Sequence, residues 1–279
     1  MGTQRSTIRK ANRMYEAVRS IVEYEIHPGN TVSFFNQVDL SAAERLRQAR
    51  KAAGLPHPSY TALVVKAAAL TLKAFPQANG RVLDRSLNPF AGTRLQQFNH
   101  CDIAVQAEMS LPDTEVATFA DVLRDADQVS FETMGRWLRD LASPEESGNR
   151  QWADFYRLVS RTPRWVARWA LRAPLFSPAM WERYRGGALL VNSPARHGVD
   201  MLASAWTWPI TVSFGLVKER PMVVDGEVVA RRCFTLIMNF DRRLMAGAQA
   251  ARFFKHLTDL IERADETLAD HFERPTPSS

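Results

Sequence analysis

Residues 60–75 read YTALVVKAAALTLKAF, and apolar side chains cover most of the circumference that a helix gives this run. Ser59 is a good N-cap in front of it and Pro76 stops it. A helix without a polar face must be covered on all sides, so the chain has to build layers around it. With 279 residues, 46% of them hydrophobic, it has the material. A chain of this size buries roughly three quarters of the surface that its extended form exposes. Disorder, collagen and coiled-coil arrays are excluded by the same composition.

Other elements follow from pattern. Residues 5–24 carry helical spacing through Ile8, Met14, Val18 and Ile21. Thr31 to Leu40 is rich in strand formers and runs into Ser41, a candidate helix cap. Cys101 to Glu108 and Glu115 to Phe119 read as strands across a Pro-Asp turn, and Phe131 to Leu141 as a helix. Gly187 to Val191 and Trp208 to Leu216 are further strands, and Asp225-Gly226 between valine pairs signals a type I′ hairpin. Cys233 to Phe240 is a strongly apolar strand, and Ala248 to Ala269 a closing amphipathic helix. Strands and helices without strict alternation, with an antiparallel hairpin, indicate a mixed α+β sheet covered by helices.

The charge balance, 36 basic against 30 acidic residues, is +6. That favours anionic ligands such as phosphates and is too small to imply nucleic acid. Two cysteines, Cys101 and Cys233, suit a reducing cytoplasm and cannot make a disulfide framework or a four-cysteine zinc site. No run of about 18 apolar residues exists. The expectation is a soluble cytoplasmic protein. Walker A, Gly-rich dinucleotide, G-x-S-x-G and His-Glu-x-x-His patterns are all missing, and none of the six histidines has metal-ligand spacing.

Five segments in order carry more information. They are the helix opening Ile8-Arg9-Lys10; the strand NQVDL (Asn36 to Leu40) with its charged helix; and YTALVVKAAALTLKAFPQANG (Tyr60 to Gly80). The fourth is CDIAVQAE, a turn and EVATF, then LRDADQVSFETM (Leu123 to Met134); the fifth is TLIMNFDRRLMAGAQAARFF (Thr235 to Phe254). Together they resemble the catalytic domain of the dihydrolipoyl acyltransferases of 2-oxoacid dehydrogenase complexes. The resemblance implies an α+β fold of the chloramphenicol acetyltransferase type and a homotrimer with active sites between subunits. It also implies metal-free acyl transfer between thiols such as coenzyme A and lipoyl groups. On this reading residues 1–272 are one domain with a helical insertion at about 145–185, and 273–279 is a disordered tail. Lipoyl and subunit-binding domains are not seen ahead of the fold. The expectation is therefore a free-standing member acting on an acyl-CoA or a carrier-bound phosphopantetheine thioester, for example in biosynthesis of specialised lipids or polyketides.

The family's catalytic signature is H-x-x-x-D-G, with His as general base and a Ser or Thr on another strand stabilising the oxyanion. Aligned here, the His position holds Arg242, the Asp position holds Ala246, and Gly247 is retained. The Ser/Thr position falls on Asn192 or its neighbour Ser193. A guanidinium stays protonated and offers only donors, so Arg242 cannot be the base but can stabilise an oxyanion together with Asn192. Candidates for the base are His197, five residues beyond Asn192, His100 at the head of a strand, or the substrate itself. Cys101 as a nucleophile is disfavoured, because strand cysteines are usually buried hydrophobes. The competing expectation is a pseudoenzyme, a structural or regulatory trimeric subunit working with an active paralogue.

Residues 151–185 stand outside the resemblance. Arg157, Arg161, Arg164, Arg168 and Arg172 recur at steps of four, three, four and four, which would put them on one helix face, with Trp165 and Trp169 beside them. Pro163, Pro174 and Pro178 are expected to cut the stretch. The functional expectation is a tunnel wall in which Trp165 and Trp169 touch an acyl chain. Arg161, Arg164 and Arg168 would then meet coenzyme A phosphates, a phosphopantetheine arm or an acidic acyl carrier protein. Contact with a membrane surface also suits a basic amphipathic segment. The plain alternative is a packed insertion with a solvated basic face.

Overall fold

In chain order the elements are β1 (Thr31–Asp39), α1 (Ser41–Ala52), α2 (Tyr60–Ala74), β2 (Gly80–Leu83), β3 (Arg94–Gln97), β4 (Ile103–Leu111) and β5 (Thr114–Leu123). Then come α3 (Phe131–Ala142), α4 (Arg150–Arg161), α5 (Arg164–Phe176), α6 (Pro178–Arg185), β6 (Leu189–Asn192) and β7 (Ile210–Phe214). The chain closes with β8 (Lys218–Val224), β9 (Glu227–Asp241), α7 (Gly247–Glu262) and the short α8 (Ala264–Thr267). They belong to a computed structural model that describes residues 30–83, 94–111, 114–143, 148–204 and 206–273. The helix expected over 5–24, the Pro-Asp turn and residues 274–279 lie outside these.

The sheet runs β1-β9-β7-β6-β4-β5, with β8 also paired to β9. Pairing is parallel for β4 with β6 and β6 with β7, and antiparallel elsewhere in this sheet. The mixed α+β sheet expected from the pattern is therefore present. The hairpin at Asp225-Gly226 is as expected too: φ is 52° and 86° at the two residues, both positive as a type I′ turn needs.

Helix α2 lies against one face of the sheet, enclosed by β4, β6, α3 and α7. Leu63, Val64, Val65 and Leu72 are at most 1% exposed, each contributing about 2 kcal/mol of burial. Ser59 caps the helix as expected, accepting from the Ala62 amide at 3.1 Å. The one charged side chain in its middle, Lys66, is fully buried. Its Nζ donates to Ala126 O at 2.8 Å, Asp127 O at 3.2 Å and Val129 O, tying down the turn that enters α3. Burial pushes this amine down to about 8.

Several boundaries differ from the pattern. Ser41 is the first residue of α1 rather than its cap, because its amide and hydroxyl both donate to Asp39 Oδ1, at 2.8 and 2.6 Å. The last helix ends at Glu262 instead of running to Ala269, and Arg263 separates it from α8. Pro174 does not cut α5 but sits in its last turn, where a missing N–H costs one bond and the ring is buried. The break falls at Thr162-Pro163, both extended, so Arg157 and Arg161 end one helix while Arg164, Arg168 and Arg172 belong to the next. The five arginines do not share a helix face. Glu273 is docked on α3, its Oε1 accepting from Ser130, Thr133 and Arg136 at 3.1 Å each.

Helices α4 to α6 wrap around the β5 edge of the sheet. Trp152 of α4 packs edge-on against Phe119 at 5.2 Å between centroids. Trp181 of α6 joins Ala104, Leu190 and Trp208 on the opposite sheet face. Gly186 ends α6 with φ of 69°, and a Cβ there would meet Val122 Cγ1 at 2.4 Å. At the head of α7, Ala246 occupies the N-cap and its methyl offers no acceptor; the one contact of this kind is Gln249 Oε1 accepting from the Ala246 amide at 3.3 Å.

Two stability changes follow. Lys66→Met, which strands three buried carbonyls, should lower unfolding free energy by about 2 kcal/mol, read as a reduced urea midpoint. Ala246→Asp supplies the missing cap and should raise it by about 1 kcal/mol. An unchanged midpoint in either variant would contradict the role given to that residue.

Candidate functional site

Side chains on a strand alternate between faces, so every second residue of β4, β6 and β7 faces away from α2. On β4 these are Ala104, Gln106 and Glu108, on β6 Leu190 and Asn192, and on β7 Thr211 and Ser213. This far face carries a polar row at the C-terminal ends of β6 and β7. Asn192 is buried, and its Nδ2 donates to Gln106 Oε1 at 3.4 Å. Asn192 Oδ1 and the Oγ of its register neighbour Ser213 are buried with no hydrogen-bond partner among the described residues. Such atoms cost about 1–3 kcal/mol each unless something completes them. Ser193 points elsewhere: its hydroxyl donates to Phe214 O at 2.8 Å and accepts from the Ala195 amide at 3.2 Å, holding the turn.

That turn delivers His197. Its Nε2 lies 2.5 Å from Glu108 Oε2, and Arg196 Nη2 donates to the same oxygen at 2.7 Å. The hydrogen bond with His197, with Arg196 beside it, holds the Glu108 carboxyl below the usual carboxylate range. The His197 side chain is 53% exposed, and its other ring nitrogen has no hydrogen-bond partner among the described residues. Sequence reading missed Glu108; the signal available was Gln106 and Glu108 alternating on one face of an otherwise apolar strand.

Beside this pair is a cavity of about 380 Å³. Its apolar wall comes from Phe155, Leu158, Leu171, Pro174, Trp206 and Trp208, and its polar wall includes Gln106, Thr118 and Arg185. Thr118 is the register partner of Glu108 on β5, and Gln106 precedes Glu108 by two residues on the same face, so the Glu108–His197 pair neighbours this end of the cavity without lining it. Arg185 stacks on Trp208, its guanidinium 4.8 Å from the ring centroid, and donates to Thr207 Oγ1 at 2.8 Å.

Trp165 and Trp169 are not in this wall. They are 69% and 66% exposed, and Arg161, Arg164 and Arg168 are exposed as well. Helical spacing accounts for this placement: Ala170, Leu171 and Pro174 turn the apolar side of α5 to the cavity, leaving the two tryptophans on the other side. The tryptophans that line the cavity are Trp206 and Trp208, from the segment before β7.

The remaining candidates lie at the other end of the sheet. Arg242 is exposed in the turn after β9, its amide donating to Asn30 O at 2.9 Å. The turn is held by Asp241, whose carboxylate takes Arg243 Nε at 3.0 Å and Nη2 at 2.6 Å, while Ala246 has nothing to offer. Asn192 pairs with Ser213 and Ser213 with Ile237, so Arg242 is five residues further along β9, about 17 Å in the strand direction. His100 precedes β4, eight residues before Glu108, with its Nδ1 2.8 Å from Asp125 Oδ1 and its side chain 72% exposed. That bond raises the imidazole above its ordinary value. Burial pushes the Cys101 thiol up to about 11, which makes it a poor nucleophile. Among the described residues no group of three or more His, Cys, Asp or Glu side chains could hold a metal ion. In one chain, then, Asn192, His197 and the cavity come together, and Arg242 and His100 stay away.

Known proteins share this arrangement of elements. The dihydrolipoamide acetyltransferase of Azotobacter vinelandii superposes with a TM-score of 0.66 at 20% identity, covering 94% of each chain. The probable dihydrolipoamide acetyltransferase of Listeria monocytogenes gives 0.64 at 20% identity, covering 93% of this chain and 95% of that one. By sequence, the succinyltransferase component of the mitochondrial 2-oxoglutarate dehydrogenase complex of Saccharomyces cerevisiae is 23% identical over 259 residues, 91% of this chain and 47% of that protein. The corresponding component of Rickettsia felis is 23% identical over 95% of this chain and 60% of its own length. The chain thus spans about half the length of the curated relatives it matches. The family model for the catalytic domain of 2-oxoacid dehydrogenase acyltransferases matches residues 5–156 and 184–269. It skips 157–183, which holds the end of α4, all of α5 and most of α6. With most of its length matched on both sides of that stretch, the chain belongs to the 2-oxoacid dehydrogenase acyltransferase family, as a catalytic domain.

Proposed function

We propose that this protein transfers an acyl group from a thioester, acyl-CoA or phosphopantetheine-bound, at a site where the family's own base has been replaced by His197 oriented by Glu108. The observation that carries this reading is the Glu108–His197 pair next to the Gln106 and Thr118 side of a largely apolar cavity, on the sheet face that also presents Asn192. The cavity takes the acyl chain against Phe155, Leu158 and Trp206. With Nε2–H donated to Glu108, Nδ1 of His197 accepts the proton of the incoming thiol or hydroxyl. The attacking sulfur or oxygen bonds to the thioester carbon, the carbon–sulfur bond breaks, and the departing thiolate takes the proton back from His197.

The oxyanion formed between these steps needs donors. Arg242 is the natural one, and its distance from Asn192 within a chain requires that it come from a neighbouring copy. A homotrimer that sets the β9 end of one chain against the β6 end of the next supplies it. The unpartnered Asn192 Oδ1 and Ser213 Oγ support a ligand or a second chain completing this row. The second reading, a pseudoenzyme serving as a structural subunit, is favoured by Arg242 and Ala246 standing where the family signature has its His and Asp.

Release of free CoA from short, medium and long acyl-CoAs, with thiol and alcohol acceptors, separates the two. We expect turnover that falls about 100-fold or more in His197→Ala. Glu108→Gln should lower it less, and His100→Ala should leave it unchanged. Equal turnover in His197→Ala and the parent protein would remove His197 from the mechanism. If the folded protein releases no thiol from any acyl-CoA or carrier-bound thioester, the pseudoenzyme reading stands.

A further inference from the structure

From Phe155 to Trp181 the chain carries five arginines and no acidic residue or lysine. The central element of this stretch is α5, and its two sides differ. One side turns Ala170, Leu171 and Pro174 to the cavity. The other presents Trp165 and Trp169, both about two-thirds exposed, one turn apart, with Arg164 and Arg168 alongside and Arg161 at the end of α4. Exposed large apolar groups clustered in this way mark an interaction surface. The family model leaves residues 157–183 unmatched, so Trp165, Trp169 and the flanking arginines lie outside the matched sequence.

We propose that α5 seats this protein on an anionic membrane, with Trp165 and Trp169 entering the headgroup layer and Arg161, Arg164 and Arg168 meeting lipid phosphates. Charge and residue type both favour a lipid surface. Tryptophan places a flat apolar ring at headgroup depth, arginine reaches phosphate with several donors, and the absence of any carboxylate from residues 155–181 removes repulsion from anionic lipid. A helix already packed on one side needs only a shallow apolar strip on the other, and two tryptophans with flanking cations provide it. The same helix walls the cavity, so docking brings a pocket for an apolar chain to the bilayer surface. The proposal does not depend on catalysis and is read without turnover.

The test is co-sedimentation of the full chain with phosphatidylcholine vesicles and with vesicles that also contain phosphatidylglycerol. We expect binding to the second, weakened by salt, and little to the first. Replacing Arg161, Arg164 and Arg168 together by Ala should weaken binding about 100-fold. Trp165→Ala with Trp169→Ala should weaken it about tenfold and remove most of the blue shift in tryptophan fluorescence on binding. Arg164→Glu with Arg168→Glu, at exposed positions, gives an independent check should the triple variant fold poorly. Absence of binding to phosphatidylglycerol vesicles at low salt would overturn the proposal. So would binding that is indifferent to all these substitutions, or co-elution with an acidic carrier protein under conditions where vesicles are ignored.

Discussion

Strand β9 pairs with β1 along one edge and with β7 and β8 along the other, and the direction of this ladder governs everything else in the site. Antiparallel to β7, it leaves the sheet where β6 and β7 enter. The turn that bears Arg242 is therefore at the opposite end from Asn192 and the His197 turn. No rotamer closes a gap of about 17 Å along the strand. A site that uses both ends has to be made between chains, or has to do without one of them. The same pairing puts alternate residues of β4, β6 and β7 on the face away from α2, where Gln106 lines an apolar cavity and Asn192 and Glu108 adjoin Gln106.

Much of the fold was legible because local chemistry decided it. Ser59 and Pro76 bound a helix that could only be buried, and Asp225-Gly226 has the two positive φ values its turn demands. What failed was decided by tertiary competition. Ser41 lost its capping role because Asp39 lies two residues away with a carboxylate. The arginine stripe assumed one helix across Thr162-Pro163, and the chain turns there. In the site, His197 could be named from sequence but its partner could not: Glu108 is 89 residues away, and parallel pairing of β4 with β6 is what unites them. Aromatic residues at helical spacing suggest a wall, but periodicity does not tell which side of a helix faces this cavity, and Trp165 and Trp169 face away from it.

The changes in the family signature fit one physical picture. In the proposed alignment Arg242 takes the place of the signature His, which would remove a base and supply a permanent donor. Ala246, in the place of the signature Asp on that alignment, offers no cap, and Asp241 holds the turn through Arg243. At the other end of the sheet a histidine and a carboxylate stand together, near a cavity walled in part by residues 157–183, which the family model leaves unmatched. Base and oxyanion donor have, on this account, exchanged ends of the sheet.

Subunit complementation tests that account most directly. Arg242→Ala and His197→Ala chains, each expected to turn over little, are prepared separately, then unfolded together and refolded as mixed oligomers. A site built from Arg242 of one chain and His197 of the next is intact wherever each parent chain contributes its unaltered end. We expect the mixture to recover about a quarter of the parent turnover, the random-assembly fraction for such an interface. A mixture no more active than the average of the two variants would contradict a site shared between chains.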